Sequence, residues 1–282
     1  MMRRLTIRPD AGTLFALAPL VMLATTGGCS RSIEVVGPTA CPLPERTCPP
    51  ESRPPAPPGA AKVVERCLTN MGGPKTIVHE VGPLETVWRI SRMYDVPVES
   101  IYRANGLRPN ESLRVGQRLT IPNAKQLRHV ISLYPNSQWK YIIVHHTATD
   151  IGKALQVDRA HHDRGFWNGI GYHFLIDNGT LGKGDGQIEV SPRWIKQQVG
   201  AHCKAGGMND KGIGIALVGN FNEDLPTQNQ IQSLAYLIKT LSQYYEIPLK
   251  NVMGHRDVEG ASTDCPGKRF PWSNLRQCLS RR

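Results

Sequence analysis

Two imidazoles and a thiol, His145, His255 and Cys265, are the side chains whose types and surroundings most clearly spell out chemistry. His145 closes an apolar, β-branched and aromatic run, Trp139-Lys140-Tyr141-Ile142-Ile143-Val144, which is too short for a helix and reads as a buried strand. His255 follows a second short strand, Asn251-Val252-Met253, through Gly254, where the missing side chain lets the backbone approach its neighbours. Cys265 lies in Thr263-Asp264-Cys265-Pro266-Gly267, a Pro/Gly bend around the sulfur. A long gap followed by a close His/Cys pair is not a zinc-finger spacing, so the tertiary fold must build the site. Two neutral imidazoles and a thiolate supply three ligands of a tetrahedral Zn²⁺ and leave the fourth position open, the arrangement that turns water into a nucleophile near neutral pH. Taken singly, each residue has an ordinary reading as a polar strand cap or a small buried thiol. It is the joint occurrence of Ile-Val-His-His-Thr-Ala, Gly-His-Arg-Asp and Asp-Cys-Pro-Gly that carries the metal reading. His146 is expected to point away from the ion, because consecutive side chains of a strand face opposite ways.

Elements able to position these ligands are legible around them. Gln228 to Tyr245 carries Ile231, Leu234, Leu237, Ile238 and Leu241 at helical spacing, with Pro226 and Thr227 as start signals. A second helix is expected over Lys153 to Arg164; it bears His161 and His162, of which at most one can face a cleft. The expected fold class is α/β (α+β), a mixed central β-sheet flanked by helices. Ahead of it, residues 77–122 read as a separate small βααβ unit. Its parts are a strand Ile77 to Val81, an amphipathic helix with Val87, Trp88, Ile90, Ser91 and Tyr94 on one side, a helix from Val98 to Asn105, and a closing strand Arg118 to Pro122.

The segments Tyr-Ile-Ile-Val-His-His-Thr-Ala-Thr (141–149), Gly-Ile-Gly-Tyr-His-Phe-Leu-Ile (169–176), Gly-Ala-His (200–202), Gly-Ile-Gly-Ile-Ala-Leu-Val-Gly-Asn-Phe (212–221), Gly-His-Arg-Asp-Val (254–258) and Asp-Cys-Pro-Gly (264–267) occur in one order. In that order they resemble the zinc-dependent N-acetylmuramoyl-L-alanine amidases of the type 2 family, which includes phage amidases and peptidoglycan recognition proteins. The resemblance covers about half the chain. It implies hydrolysis of the amide between N-acetylmuramic acid and the first alanine of the stem peptide. It also implies a catalytic role for Tyr172, as a phenol that orients water or donates to the developing oxyanion, where a packed strand tyrosine is the ordinary alternative. Thr263 stands where some members carry lysine and the recognition proteins commonly carry threonine, so it is expected to assist with a hydrogen bond and no charge. His202 and Asn209 fall where the family lines its peptide groove and are the expected substrate-binding residues; ordinary polar loop positions are the alternative. Residues 77–122 resemble a LysM domain through Glu85-Thr86-Val87-Trp88, Ile101-Tyr102-Arg103-Ala104-Asn105 and Val115-Gly116-Gln117-Arg118-Leu119-Thr120-Ile121-Pro122. That resemblance implies a module for N-acetylglucosamine-containing glycans. Leu84 replaces the glycine usual before the acidic residue.

The remaining sequence addresses location. Arg3, Arg4 and Arg8 precede an apolar stretch, Leu14 to Ala24, that is too short to span a bilayer, and Thr26-Gly27-Gly28-Cys29 follows as a small-residue cleavage site. Residues 1–29 therefore read as a secretion signal. Cys29 resembles a lipobox cysteine, so a membrane anchor through its acylation is expected beside the alternative of a soluble periplasmic or secreted protein. Nine prolines between Gly37 and Gly59 make residues 30–76 an expected extended linker, roughly 70 Å over twenty-odd residues at ~3.1 Å each. The catalytic domain is assigned to 138–282. Formal net charge is +11, from 34 basic and 23 acidic residues, which favours anionic wall polymers and membrane surfaces; there is no nucleic-acid motif or aromatic-basic run, and nucleic acid is not an expected partner. Of seven cysteines, Cys203 and Cys278 are a plausible intradomain pair in an oxidising envelope.

The expected function is that of an exported zinc amidase of peptidoglycan, guided to the wall by LysM. The rival readings are a non-catalytic muropeptide-binding or sensing protein on the same fold, and an amidase of soluble anhydro-muropeptides.

Overall fold

The computed structural model describes residues 59–166 and 168–281. The expected signal peptide, Cys29 and nearly all of the proline-rich stretch lie outside the described residues.

The small unit is built between two long antiparallel strands, β1 (Lys62–Glu80) and β2 (Arg118–Leu133). Helices α1 (Val87–Tyr94) and α2 (Val98–Asn105) lie between them in sequence, which gives the order βααβ. Val87, Ile90, Met93 and Ile101 of the helices close on Leu119, Ile121, Leu127 and Val130 of β2, forming a core of its own. Both strands run well past the spans expected from sequence. β1 begins at Lys62, inside the stretch read as linker, and β2 continues from Pro122 to Leu133, so the two pair from Lys62↔Leu133 to Glu80↔Arg118. The physical reason lies far along the chain: Ile131 and Leu133 sink into the core of the larger unit, and Val64 packs against it. Ionic contacts fasten the helices to this ribbon. Arg92 forks onto Glu65 with Nε and Nη2 at 2.8 and 3.0 Å, and the buried Arg128 reaches Asp95 at 3.0 Å. Lys153 of the larger unit meets Glu80 at 2.7 Å.

Two features of the β1–α1 turn are testable. Leu84 has φ 58° and is exposed, a left-handed conformation that crowds any Cβ. Leu84→Gly should stabilise the protein by about 1 kcal/mol in denaturant melts, the strain relieved exceeding the entropy glycine loses. Next to it, the Glu85 carboxylate accepts from the Gly82 amide at 2.8 Å and meets His79 Nε2 at 2.8 Å and Arg89 Nη1 at 3.3 Å. Burial alone pushes the Glu85 carboxyl up, but His79 and Arg89 outweigh it and hold the group well below the usual carboxylate range. A folded-state value depressed below the unfolded one, roughly 4.3, contributes stability that is present above that pH and lost as pH falls. Glu85→Gln should cost about 3 kcal/mol at neutral pH, the toll of unpairing a buried ion pair, and the gap from wild type should narrow in acid melts below about pH 4. A constant gap would place the effect in packing.

The larger unit is a five-stranded mixed sheet in the order β5-β4-β6-β3-β7. Its elements, in chain order, are β3 (Tyr141–His146), α3 (Ala154–Asp163), β4 (Phe174–Asn178), β5 (Asp185–Val190), α4 (Pro192–Ile195), α5 (Met208–Lys211), β6 (Gly212–Leu217), α6 (Gln228–Tyr245), β7 (Val252–Gly254) and α7 (Trp272–Ser280). β4, β6, β3 and β7 are parallel, and β5 joins β4 antiparallel. Thr227 starts α6 through a full capping box with Gln230, each side chain satisfying the other's backbone amide. The sheet's two faces have separate work. Ile142, Val144, Phe174, Ile176, Ile188, Ile213, Ile215 and Leu217 face α6 and α7 and form the main core with Leu234, Leu237, Ile238, Leu241 and Leu275. The alternate residues, among them Ile143, His145, Gly214, Ala216 and Leu175, belong to the opposite face. Small Gly214 and Ala216 beside His145 leave room there for imidazole rings.

Cys203 and Cys278 are not paired with each other. Cys203 is buried with Ile143, Met208 and Val258, whereas Cys278 packs in the main core with its sulfur 3.8 Å from Asn274 Oδ1. The intervening sheet separates the two clusters, which corrects the sequence expectation.

Candidate metal centre

Parallel pairing of β3 and β7 explains how residues so distant in sequence meet. Val144 is in register with Gly254, so the next residue of each strand, His145 and His255, leaves the same edge of the sheet. Functional side chains of open parallel sheets gather at strand carboxyl ends for this reason. Cys265 closes the set from the following loop, which is pinned back by Arg256 N donating to Cys265 O at 2.8 Å. One donor atom each from His145, His255 and Cys265 lie within 4.8 Å of one another. His145 Nδ1 and Cys265 Sγ are 3.5 Å apart. A tetrahedral zinc with ordinary bond lengths sets N and S about 3.6 Å apart, so this pair is spaced as the metal requires.

The local electrostatics match the same purpose. His145 is driven well below its ordinary value by burial and then by the neighbouring His202 and His255, and His255 is lowered by burial. Neutral imidazoles with free lone pairs are the form a metal binds. Burial pushes the Cys265 thiol up to about 12, against an opposing contribution from the His146 amide, which points at the sulfur from 3.4 Å. A thiolate there needs a cation beside it, and the donor set provides a place for one.

Around these three, each sequence-predicted residue has a definite position. Tyr172 precedes β4, and its ring lies 5.1 Å from that of His145 and 5.4 Å from that of His161. Its hydroxyl makes no hydrogen bond to another described residue. Burial first, then Cys265, raises the phenol above its ordinary value, so it remains a donor at neutral pH. Thr263 is exposed, and its Oγ1 accepts from the Cys265 amide at 3.1 Å. His146 faces the other side of β3, as the alternation predicts, and its Nδ1 accepts from Phe221 N at 3.1 Å. Of the α3 histidines, His161 is buried and accepts from Gly171 N at 2.9 Å, while His162 is exposed.

His202 and Asn209, expected at the peptide groove, both make hydrogen bonds within the protein. His202 is buried, with Nδ1 3.1 Å from His145 Nε2 and Nε2 3.1 Å from the Gly212 carbonyl. Asn209 is half-buried, and its Oδ1 accepts from the amides of both His202 and Cys203 at 2.8 Å. His202 and the Asn209 oxygen are thus committed to protein groups, while the Asn209 amide nitrogen makes no hydrogen bond among the described residues. Sequence reasoning also missed His173, whose Nδ1 accepts from Gly214 N at 3.0 Å and whose Nε2 meets Gln198 O at 3.0 Å. The available signal was Gly212-Ile213-Gly214, since glycines inside a strand mark a close approach.

A family profile described as N-acetylmuramoyl-L-alanine amidase matches residues 135–268, and one described as LysM domain matches 79–122. Peptidoglycan-recognition protein SC2 of Drosophila simulans is 32% identical over 149 residues, covering 50% of this chain and 74% of that protein. A human N-acetylmuramoyl-L-alanine amidase is 30% identical over 139 residues, 45% of this chain and 22% of that protein. Among solved structures, the N-acetylmuramoyl-L-alanine amidase LysC from Clostridium intestinale is 34% identical, covers 52% of this chain and 90% of its own, and superposes with a TM-score of 0.43.

Proposed function

From a chain that belongs to the family of N-acetylmuramoyl-L-alanine amidases and peptidoglycan-recognition proteins and carries a LysM domain, we propose a zinc-dependent peptidoglycan amidase that cleaves the bond between N-acetylmuramic acid and L-alanine. The observation that carries the reading is the donor set, two neutral imidazoles and a thiol within 4.8 Å, beside a tyrosine whose hydroxyl makes no hydrogen bond among the described residues. Zinc held by His145, His255 and Cys265 would supply a water-derived nucleophile near neutral pH and polarise the scissile carbonyl. Tyr172 donates its phenolic hydrogen to the carbonyl oxygen as negative charge develops there, and burial strengthens that hydrogen bond. Thr263 steadies the Cys265 amide and has its hydroxyl hydrogen left to offer. The substrate assigned to the metal centre is the stem peptide, and among the described residues the Asn209 amide nitrogen is left without a hydrogen bond to meet it.

The LysM domain supports action on polymeric wall, and an envelope location follows from that substrate. Among the described residues no helix is long and apolar enough to cross a membrane. We assign anchoring to Cys29, export to residues 1–29 and a spacer role to the proline-rich stretch, on sequence grounds alone.

Purified protein incubated with intact sacculi should release free stem peptides, lose that release on chelation and regain it with added zinc; mass spectrometry of the soluble products reads the outcome. Binding to sacculi with no peptide released at any zinc concentration would establish the recognition-protein reading instead.

A further inference from the structure

The Gly212 carbonyl, the His202 ring and the His145 ring form a line of two hydrogen bonds, each 3.1 Å long, that ends on a candidate metal ligand. A carbonyl oxygen only accepts, so His202 Nε2 carries hydrogen and donates to it. His202 is buried against another imidazole, where a neutral ring is favoured, and its Nδ1 is therefore a bare acceptor. His145 Nε2 lies opposite that acceptor and must be the donor. The proton of His145 is thus held on Nε2, and the lone pair is left on Nδ1, the atom that faces Cys265 Sγ.

The surroundings confine the ring to this use. A Cβ on Gly200 would lie 2.3 Å from His202 Cδ2, and one on Gly214 would lie 2.4 Å from the same atom. The ring is slotted between two glycines, one in the preceding loop and one in β6. Its backbone amide is fastened to Asn209 Oδ1. His173, whose ring centre is 5.7 Å away, has both nitrogens committed to Gly214 N and Gln198 O and does not compete.

We propose that His202 is a positioning residue, which fixes the tautomer and ring orientation of His145 so that Nδ1 is presented to the metal. This rests on the metal-centre reading above. It gives the Gly-Ala-His segment a task beneath the site, and it accounts for Gly214 as the residue that admits the imidazole. Partners of this kind typically govern metal affinity by about 10- to 100-fold.

The test uses full-length protein, ¹⁵N-labelled at histidine, as wild type, His202→Phe and His202→Asn. Phenylalanine fills the slot without an acceptor; asparagine restores an acceptor oxygen near the Nδ1 position. Melting of the metal-free proteins controls for folding. In metal-free wild type, long-range ¹H–¹⁵N spectra should show His145 protonated on Nε2. Competition with a chromophoric chelator should show zinc affinity falling about 10- to 100-fold in His202→Phe and recovering in part in His202→Asn. Zinc affinity in folded His202→Phe within twofold of wild type, or a His145 proton on Nδ1 in wild type, overturns the proposal. A wild-type protein that takes up no zinc sinks the metal reading alone, and the nitrogen resonances still decide the tautomer.

Discussion

Cys265→Ser should lose zinc on gel filtration, bind it about a hundred- to a thousandfold more weakly than wild type, and release no measurable peptide from sacculi. Structural four-ligand sites yield ~10–16 kcal/mol of apparent zinc binding, so one ligand of the four is worth roughly 2.5–4 kcal/mol, or about two to three powers of ten. Serine cannot replace the sulfur, because its hydroxyl does not ionise beside the metal as a thiol does. The substitution keeps shape and hydrogen-bonding capacity toward the His146 amide, which now contacts Sγ at 3.4 Å. Metal-free stability should therefore stay within about 1 kcal/mol of wild type, the usual range for a near-isosteric change. That combination separates loss of a ligand from loss of fold. Metal analysis decides it: unchanged zinc content in Cys265→Ser would strike the residue from the ligand set, and the hydrolase assignment would go with it.

Tyr172→Phe should behave in the opposite manner, keeping zinc and losing turnover. Removing one preorganised donor to a developing oxyanion costs about 10²- to 10³-fold in kcat, or roughly 2.7–4 kcal/mol. The ring itself should stay where it is, packed with Ala154, Ile170 and Leu175, and the metal ligands are untouched. KM should change little, since the hydrogen bond matters most when charge has formed on the oxygen. A variant with normal zinc and normal kcat would reduce Tyr172 to a packed strand-edge aromatic.

These expectations rest on residues of unequal legibility. His145 and His255 are legible because short strand-like runs lead into them, and the turn of His146 to the other face of β3 follows from the alternation of strand side chains alone. Helix α6 was readable to its ends: Thr227 and Gln230 form the cap, and leucines and isoleucines recur at its pitch. The ribbon was not. Lys62 to Asn70 follows a proline-rich stretch and carries no strong alternation, and it becomes a strand because β2 continues beside it into the core of the larger unit. Sequence points His202 at a groove, whereas its contact with His145, 57 residues away in sequence, is legible only in the fold. Only the glycines at 200 and 214 hinted that something must fit between the two segments.

The sequence by itself determined the kinds of atom available to a metal and the local elements that carry them, because ligand chemistry, strand alternation and helix capping act over a few residues. Tertiary structure alone decided which nitrogen of His145 is bare, that His202 stands beneath the site, and that the LysM unit runs into the larger unit through a paired ribbon. Those outcomes depend on hydrogen bonds and close packing between segments whose separation along the chain leaves no local trace.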